Sequence, residues 1–122
     1  MPINRANWTL NVTGEVHRPL ELTFDDLDPG GRFEQLEQVA PLDCTGGWYS
    51  TQRWQGVRVI DLCDVAGIKE GQRSLTFVGI TGYSRGMPIS DAANLLLATH
   101  VGDEPLSYRH GAPLRLVTPN RR

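Results

Sequence analysis

Glycine and proline interrupt this chain so often that long regular elements have little room in it. There are 13 glycines and 8 prolines among the 122 residues, and many of them separate short segments in which apolar and polar residues alternate. Alternation with a period of two is the pattern of a strand that buries one face. The sequence therefore predicts one small domain of short strands joined by many turns.

Alternation identifies the candidate strands. The first segment, WTLNVTG, places Trp8, Leu10 and Val12 on one face and ends at Gly14. The segment SDAANLLLATH is predicted to begin as a short helix capped by Ser90 and to continue as a strand. Further extended segments are predicted in RPLEL, RFEQLEQVAPLDC, SLTFVGI and PLRLV, and GDEP is predicted as a turn.

Helical signals are confined to two short stretches. In TFDDL, Thr23 is a plausible N-cap with Asp26 three residues on, so a short helix or a turn is predicted before Asp28-Pro29-Gly30-Gly31 ends it. In VRVIDLCDVAGI, Gly67 provides a C-terminal stop. The apolar stripe of this second helix comprises Val59, Ile60, Leu62, Cys63 and Ala66.

The charge of the chain argues against whole classes of partner. A net charge of −2 and a pI near 5.9 give no general attraction to nucleic acid or to anionic membrane. No apolar run approaches the length of a membrane span, and the first residues lack the apolar stretch of a secretory signal. We therefore expect no nucleic-acid partner and no membrane span in this chain, while its compartment is left open.

The two cysteines stand in different contexts. With three histidines they show neither a disulfide framework nor the close spacing of a zinc site. Cys63 falls on the apolar stripe of a predicted helix, where a cysteine acts as a small buried hydrophobe. Cys44 follows a predicted strand and precedes Gly46-Gly47, so its sulfur either projects into a loop-lined cavity or is structural. Both interpretations of Cys44 stay open at this point.

Four ordered segments resemble one protein family. The stretch LDCTGGWYSTQRWQGVRVIDL resembles the cofactor-cysteine segment of the sulfite oxidase-like, molybdopterin-binding oxidoreductase domain. Similar matches occur in WTLNVTGEVHRPLELTFDDL, TGYSRGMPISDA and GDEPLSYRHGAPLRLVTP, in the order expected for the family. The resemblance spans nearly the whole chain. It implies an α+β fold for residues 1–122: a mixed, strand-rich sulfite oxidase-like molybdopterin-binding fold with short helices.

The resemblance also implies the site residues. Cys44 matches the cysteine whose thiolate binds molybdenum, so it would be both a metal ligand and a catalytic residue; a soft anionic sulfur suits that centre. Thr45 and Gly46 beside it would contact the cofactor. His110 and Arg115 match residues that hold the pterin and its phosphate, and arginine offers a planar, permanently charged fork for phosphate. Without the resemblance, His110 would be interpreted as a turn residue and Arg115 as an outward-facing strand residue.

Other polar and aromatic residues receive weaker assignments. Tyr83 and Ser84 are candidates for the substrate pocket, and Tyr83 is taken as a second catalytic residue. Arg53 either faces an anionic substrate or is solvated. Trp48 and Trp54 are predicted to pack rather than react, because tryptophan is a natural wall residue.

The implied cofactor is molybdenum-molybdopterin, and the implied activity is two-electron oxygen-atom transfer on a small-molecule substrate. Electrons would be exchanged with a haem or quinone-linked partner, since the cofactor carries the chemistry and this chain has no haem-attachment signature. Classical sulfite oxidases carry an arginine soon after the metal cysteine, and CTGGWYS does not, which argues against sulfite as the substrate. The family continues past TPNRR with a further strand that bears a lysine, so the domain is expected to be incomplete at its C-terminus.

Two other functions compete with this one. The chain could be a cofactor-free relic of the same fold that serves as a binding or scaffold module. It could also be a thiol enzyme that uses Cys44 with a histidine, an interpretation that leaves HGAPLR unexplained.

Overall fold

Strands dominate the structure, a computed structural model that describes residues 8–43, 49–79, 82, 84–102, 104–106 and 114–117. The secondary structure within these ranges confirms the strand-rich prediction. The strands are β1 (Thr9–Val12), β2 (Leu20–Thr23), β3 (Gln35–Asp43), β4 (Tyr49–Arg58), β5 (Ser74–Val78), β6 (Ser84–Pro88), β7 (Leu96–Val101), β8 (Glu104–Pro105) and β9 (Arg115–Val117). The helices are α1 (Phe24–Leu27), α2 (Val59–Ala66) and a 3-10 helix (Ile89–Asn94).

The main sheet is antiparallel, and β4 lies between β3 and β7. Both β8 and β9 pair with different parts of β7, so residues distant in the chain end on one surface. The β4–β7 ladder shifts register after Gln55, which pairs with His100, because Gly56 pairs with Ala98 and Thr99 is an extra residue. Two hairpins, β1–β2 and β5–β6, form separate two-stranded sheets.

Apolar clusters cover both faces of the main sheet. Alternation along β7 sends Leu97 to one face and Leu96 and Ala98 to the other. The larger cluster joins the sheet to the helices and the first hairpin, and it includes Leu22, Leu27, Val57, Leu62 and Leu97. The smaller cluster consists of Trp54, Leu96, Ala98, Leu106 and Val117, with Val101 packed against it.

Local signals set the bounds of α1. Thr23 is its N-cap, as predicted: the Asp26 amide donates to Thr23 Oγ1 at 3.3 Å, and the Thr23 amide donates to Asp26 Oδ2 at 2.9 Å. This capping box satisfies two amides that would otherwise lack partners at the start of the helix. The helix ends at the cap residue Asp28, and its residues Phe24 and Leu27 are buried.

The predicted stripe of α2 is also confirmed. Its buried residues are Val59, Leu62, Cys63 and Ala66, while Ile60 is half-buried at the margin of the stripe. Gly67 ends the helix in the left-handed region, with φ +72°, a conformation that suits glycine.

The connection between β1 and β2 docks on the end of α2. The amides of His17 and Arg18 donate to the carbonyls of Gly67 and Ala66, each at 2.8 Å. The Arg18 side chain adds a bond of 2.9 Å from Nε to the Val65 carbonyl. These bonds satisfy carbonyls that the helix leaves open, and they bind the first hairpin to α2.

One local prediction is wrong, and the prediction of a turn in GDEP is right only at its start. Ser90 lies inside the 3-10 helix, whose N-cap is Pro88 with no side-chain cap bond; the fixed φ of the proline, −63°, sets the entry of the helix instead. Glu104 and Pro105 of GDEP pair with Val101 and His100 as β8, so they belong to a hairpin strand and not to the turn itself. The expected missing strand concerns chain beyond residue 117, outside the described residues, and stays a prediction.

Candidate cofactor site

The predicted metal cysteine falls between two paired strands. Strand β3 ends at Asp43, immediately before Cys44, and Asp43 is the register partner of Tyr49 at the start of β4. The prediction of a strand that runs up to Cys44 is therefore confirmed. Cys44, Thr45 and Gly46 themselves lie outside the described residues, so their roles stay predictions.

Arg115 is the predicted cofactor residue that the structure describes. It opens β9, where it pairs with Ala98 of β7, and it is half-buried. Its guanidinium carbon lies 5.1 Å from the centre of the Trp54 ring, a cation–π contact. In the described part of the chain it has no carboxylate partner, and the contact that it makes there is with the indole ring.

Trp54 forms the floor beneath that cation. Its side chain is only 1% exposed, and it packs in the smaller apolar cluster with Leu96, Ala98 and Val117. This burial confirms the packing role predicted for Trp54. Trp48 lies outside the described residues.

Strands β4 and β7 approach each other closely near Trp54, and a glycine makes this possible. Gly56 lies two residues from Trp54 and pairs with Leu36 on one side and Ala98 on the other. A Cβ atom at Gly56 would overlap the Leu97 carbonyl oxygen and lie 2.6 Å from the Ala98 Cα. The glycine therefore allows β7 to lie against β4, and Ala98 of β7 in turn pairs with Arg115.

A glutamine that the sequence analysis overlooked lies beside Trp54. Gln38 of β3 is the register partner of Trp54, and opposed residues of neighbouring strands share a face. Its amide nitrogen Nε2 is buried without a hydrogen-bond partner. A sequence signal existed: Gln38 is the polar residue in the alternating series Leu36, Gln38, Ala40, Leu42.

The opposite face of the sheet carries a satisfied polar network. Gln35 Nε2 donates to the Leu27 carbonyl and, at 3.1 Å, to Thr99 Oγ1, while Gln55 Nε2 donates to Gln35 Oε1 at 2.8 Å. Thr99 Oγ1 also lies 2.7 Å from His100 Nδ1, and Thr99 is 1% exposed. The network surrounds the extra residue of β7 and ties it to β3, β4 and α1.

The second cysteine has no place at this site. Cys63 is a buried free thiol on α2. Burial, with a smaller contribution from the Asp64 carboxylate, raises the pKa of the Cys63 thiol above its usual 9.0. Since the thiolate is the reactive form of cysteine, Cys63 acts as the small buried hydrophobe predicted for it.

The remaining candidates are dispersed or undescribed. Ser84 and Arg53 are exposed, on β6 and β4 respectively, while Tyr83 and His110 lie outside the described residues. Across the described ranges, no three His, Cys, Asp or Glu side chains gather as a metal site. No helix in those ranges has the length and apolar character needed to cross a membrane.

Comparison with solved structures identifies a close match in fold. The sulfane dehydrogenase SoxCD from Paracoccus pantotrophus superposes with a TM-score of 0.87 at 25% sequence identity. The match covers 98% of this chain and 35% of that chain. The α+β, strand-rich sulfite oxidase-like fold expected from the sequence is therefore confirmed.

Sequence relatives include several oxidoreductases. The chain is 35% identical over 118 residues to the uncharacterized oxidoreductase YuiH of Bacillus subtilis. The match covers 94% of this chain and 58% of that protein. It is 30% identical over 141 residues to human mitochondrial sulfite oxidase, covering 92% of this chain and 26% of that protein. It is also 30% identical over 129 residues to the protein-methionine-sulfoxide reductase catalytic subunit MsrP of Xanthomonas axonopodis, covering 92% of this chain and 39% of that protein.

These relatives are considerably longer than the region that they share with this chain. The shared region spans between about a quarter and three fifths of the length of each of these three proteins. The sequence pattern of the oxidoreductase molybdopterin binding domain matches residues 1–121. This chain therefore belongs to the oxidoreductase molybdopterin binding domain family, whose cofactor is molybdenum-molybdopterin.

Proposed function

We propose that this chain is the cofactor-binding part of a molybdenum oxidoreductase that transfers an oxygen atom to or from a small substrate. The observation that carries the proposal is Arg115, a half-buried cation held over the ring of Trp54. Cations are seldom kept against an apolar cluster without a carboxylate partner. An anionic ligand at this position would explain why Arg115 is there.

The residues present fit the cofactor. Molybdopterin ends in a phosphate, and a guanidinium fork is permanently charged and matches phosphate geometry. The partly buried setting of Arg115 strengthens such an interaction relative to one in bulk water. A lysine, whose charge is a point and not a fork, would be a poorer replacement at this position.

We propose the following roles for the predicted residues. The Cys44 thiolate holds the metal, and the backbone of Thr45 and Gly46 lies against the cofactor. His110 donates a hydrogen bond at the pterin-phosphate end, beside Arg115. When bound, the cofactor supplies two-electron oxygen-atom transfer.

The proposed substrate is small and carries an oxygen atom that is gained or lost. Two of the named relatives carry sulfite or protein methionine sulfoxide in their names, two substrates that differ from their products in this way. Tyr83 and Ser84 are proposed to line the substrate pocket, where a tyrosine hydroxyl can donate to a substrate oxygen. A haem or quinone-linked partner is proposed to exchange the electrons. The sequence CTGGWYS lacks an arginine, so sulfite is not the substrate that we propose.

Metal and pterin analysis of three purified proteins tests this function. The wild-type chain should contain molybdenum and pterin together. Arg115→Met keeps length but removes charge and donors, so it should lower both contents in parallel. Arg85→Met, at an exposed arginine of β6, is the matched control and should load normally. A wild-type chain free of pterin, or an Arg115→Met variant that loads fully, contradicts the proposal.

The role of Cys44 as the metal ligand has a separate test. Cys44→Ser should abolish turnover while leaving the fold and the bound pterin largely in place, because the phosphate end remains held. Cys63→Ala is its control and should keep activity, at a packing cost on the order of 1 kcal/mol. Undiminished turnover in Cys44→Ser would remove this residue from the site.

A further inference from the structure

The structure assigns a further cofactor contact to Gln38: we propose that its side-chain amide donates a hydrogen bond to an acceptor atom of the bound molybdenum cofactor. This inference rests on the function proposed above. It concerns a residue outside the segments usually associated with the cofactor, in the middle of β3 and not at its end.

The environment of the Gln38 amide nitrogen supports this contact. Gln38 Nε2 is buried and has no hydrogen-bond partner. Buried polar groups are almost always satisfied, and one that lacks a partner destabilises the folded chain. Leucine or methionine at position 38 would fill the same space without that penalty, so the glutamine needs an explanation that packing does not supply.

The location of Gln38 supports the same contact. Gln38 opposes Trp54 in the β3–β4 register, and the Trp54 indole ring also lies under the guanidinium of Arg115. A neutral amide donor and a cationic donor thus flank one buried ring on the same face of the sheet. Two donors around one apolar floor suit a single ligand that is rich in oxygen and nitrogen acceptors, which is the chemistry of a pterin with a phosphate.

Strand β3 holds a second glutamine whose bonding differs from that of Gln38. Gln35, three residues earlier and on the other face, has its amide nitrogen bonded to the Leu27 carbonyl and to Thr99 Oγ1. The strand therefore holds one glutamine whose amide nitrogen is bonded within the fold and one whose amide nitrogen has no partner. This pair gives a matched control for the experiment.

The test compares Gln38→Leu with Gln35→Leu in the full chain, produced in a host that cannot make the cofactor. Thermal unfolding of each apoprotein is measured first. Purified molybdopterin is then titrated into each folded protein, and bound pterin is quantified by its fluorescent oxidation product. For Gln38→Leu we expect an unchanged or raised melting temperature and binding about tenfold weaker or worse. For Gln35→Leu we expect a lowered melting temperature and normal binding.

Each other outcome contradicts the inference. Molybdopterin binding by Gln38→Leu that equals wild type would mean that water satisfies the amide. A melting temperature lowered as much as in Gln35→Leu would mean that Gln38 serves the fold. A wild-type chain that binds no molybdopterin would contradict the proposed function itself, a result distinct from wild-type binding that is insensitive to Gln38.

Discussion

Replacing Gly56 by alanine should destabilise the protein strongly, although it adds only one methyl group. The new Cβ would overlap the Leu97 carbonyl oxygen and lie 2.6 Å from the Ala98 Cα and 2.7 Å from the Leu97 carbonyl carbon. All three are backbone atoms of β7, so no side chain can rotate away to make room. Relief requires β4 and β7 to separate at the point where their register shifts.

The size of the effect follows from that geometry. Overpacking costs about 1–3 kcal/mol, and a clash with backbone belongs at the upper end of that range. Alanine also restricts the unfolded chain, which returns only about 0.4–1 kcal/mol. A net loss of about 2 kcal/mol lowers the melting temperature of a domain of this size by roughly 8 °C.

Gly86→Ala is the matched control for this experiment. Gly86 also lies in a strand, β6, but the nearest atom to its Cβ would be the Leu75 carbonyl oxygen at 3.9 Å, an ordinary contact. Its melting temperature should stay the same or rise by up to about 4 °C, because alanine restricts the unfolded chain by about 0.4–1 kcal/mol and meets no clash at this position. Calorimetry on the two apoproteins measures both values. If Gly56→Ala melts within 2 °C of Gly86→Ala, the close approach of the two strands is not what requires glycine at position 56.

Other substitutions test separate parts of the fold. Thr23→Ala removes the N-cap of α1 and should lower the free energy of unfolding in urea by about 1 kcal/mol, with an unchanged m-value. An unchanged free energy of unfolding would mean that the capping box does not stabilise the protein. Thr99→Val removes the hydroxyl shared by Gln35 and His100 and should cost about 1–3 kcal/mol by the same assay, because two part-buried side chains lose a hydrogen-bond partner. A stabilised variant would contradict the network. Because the pKa of Cys63 is raised in the folded protein, the unfolded thiol loses its proton first as the pH rises. The contribution of Cys63 to the free energy of unfolding should therefore be fully present below pH 9.0 and decline above it. Unfolding curves at pH 7 and pH 10 check this decline, and Cys63→Ala should reduce it.

Local chemistry made part of this structure predictable. The cap at Thr23, the stop at Gly67 and the stripe of α2 depend on residues within one or two turns of each other, and all three were predicted correctly. The strand prediction that led to Cys44 depended on the apolar residues Val39 and Leu42 near the end of RFEQLEQVAPLDC, and it too holds up to Asp43.

Contacts between distant segments were beyond such reasoning. Nothing near Arg115 in the sequence indicates that its guanidinium lies over Trp54, because that contact depends on β9 and β4 both being placed by β7. The sequence does not indicate the extra residue at Thr99 either, because a bulge depends on how two distant strands pair. Gln38 was missed because its amide is notable only once its surroundings are known.

The docking of the first hairpin on α2 has a consequence for how the protein opens. The amide protons of His17 and Arg18 are bonded to carbonyls at the end of α2, so they exchange with solvent only when these hydrogen bonds open. Hydrogen exchange at these two amides therefore reports how often the hairpin connection separates from the helix. The hairpin and α2 should behave as one cooperative unit, although the sequence places the whole of β3 and β4 between them.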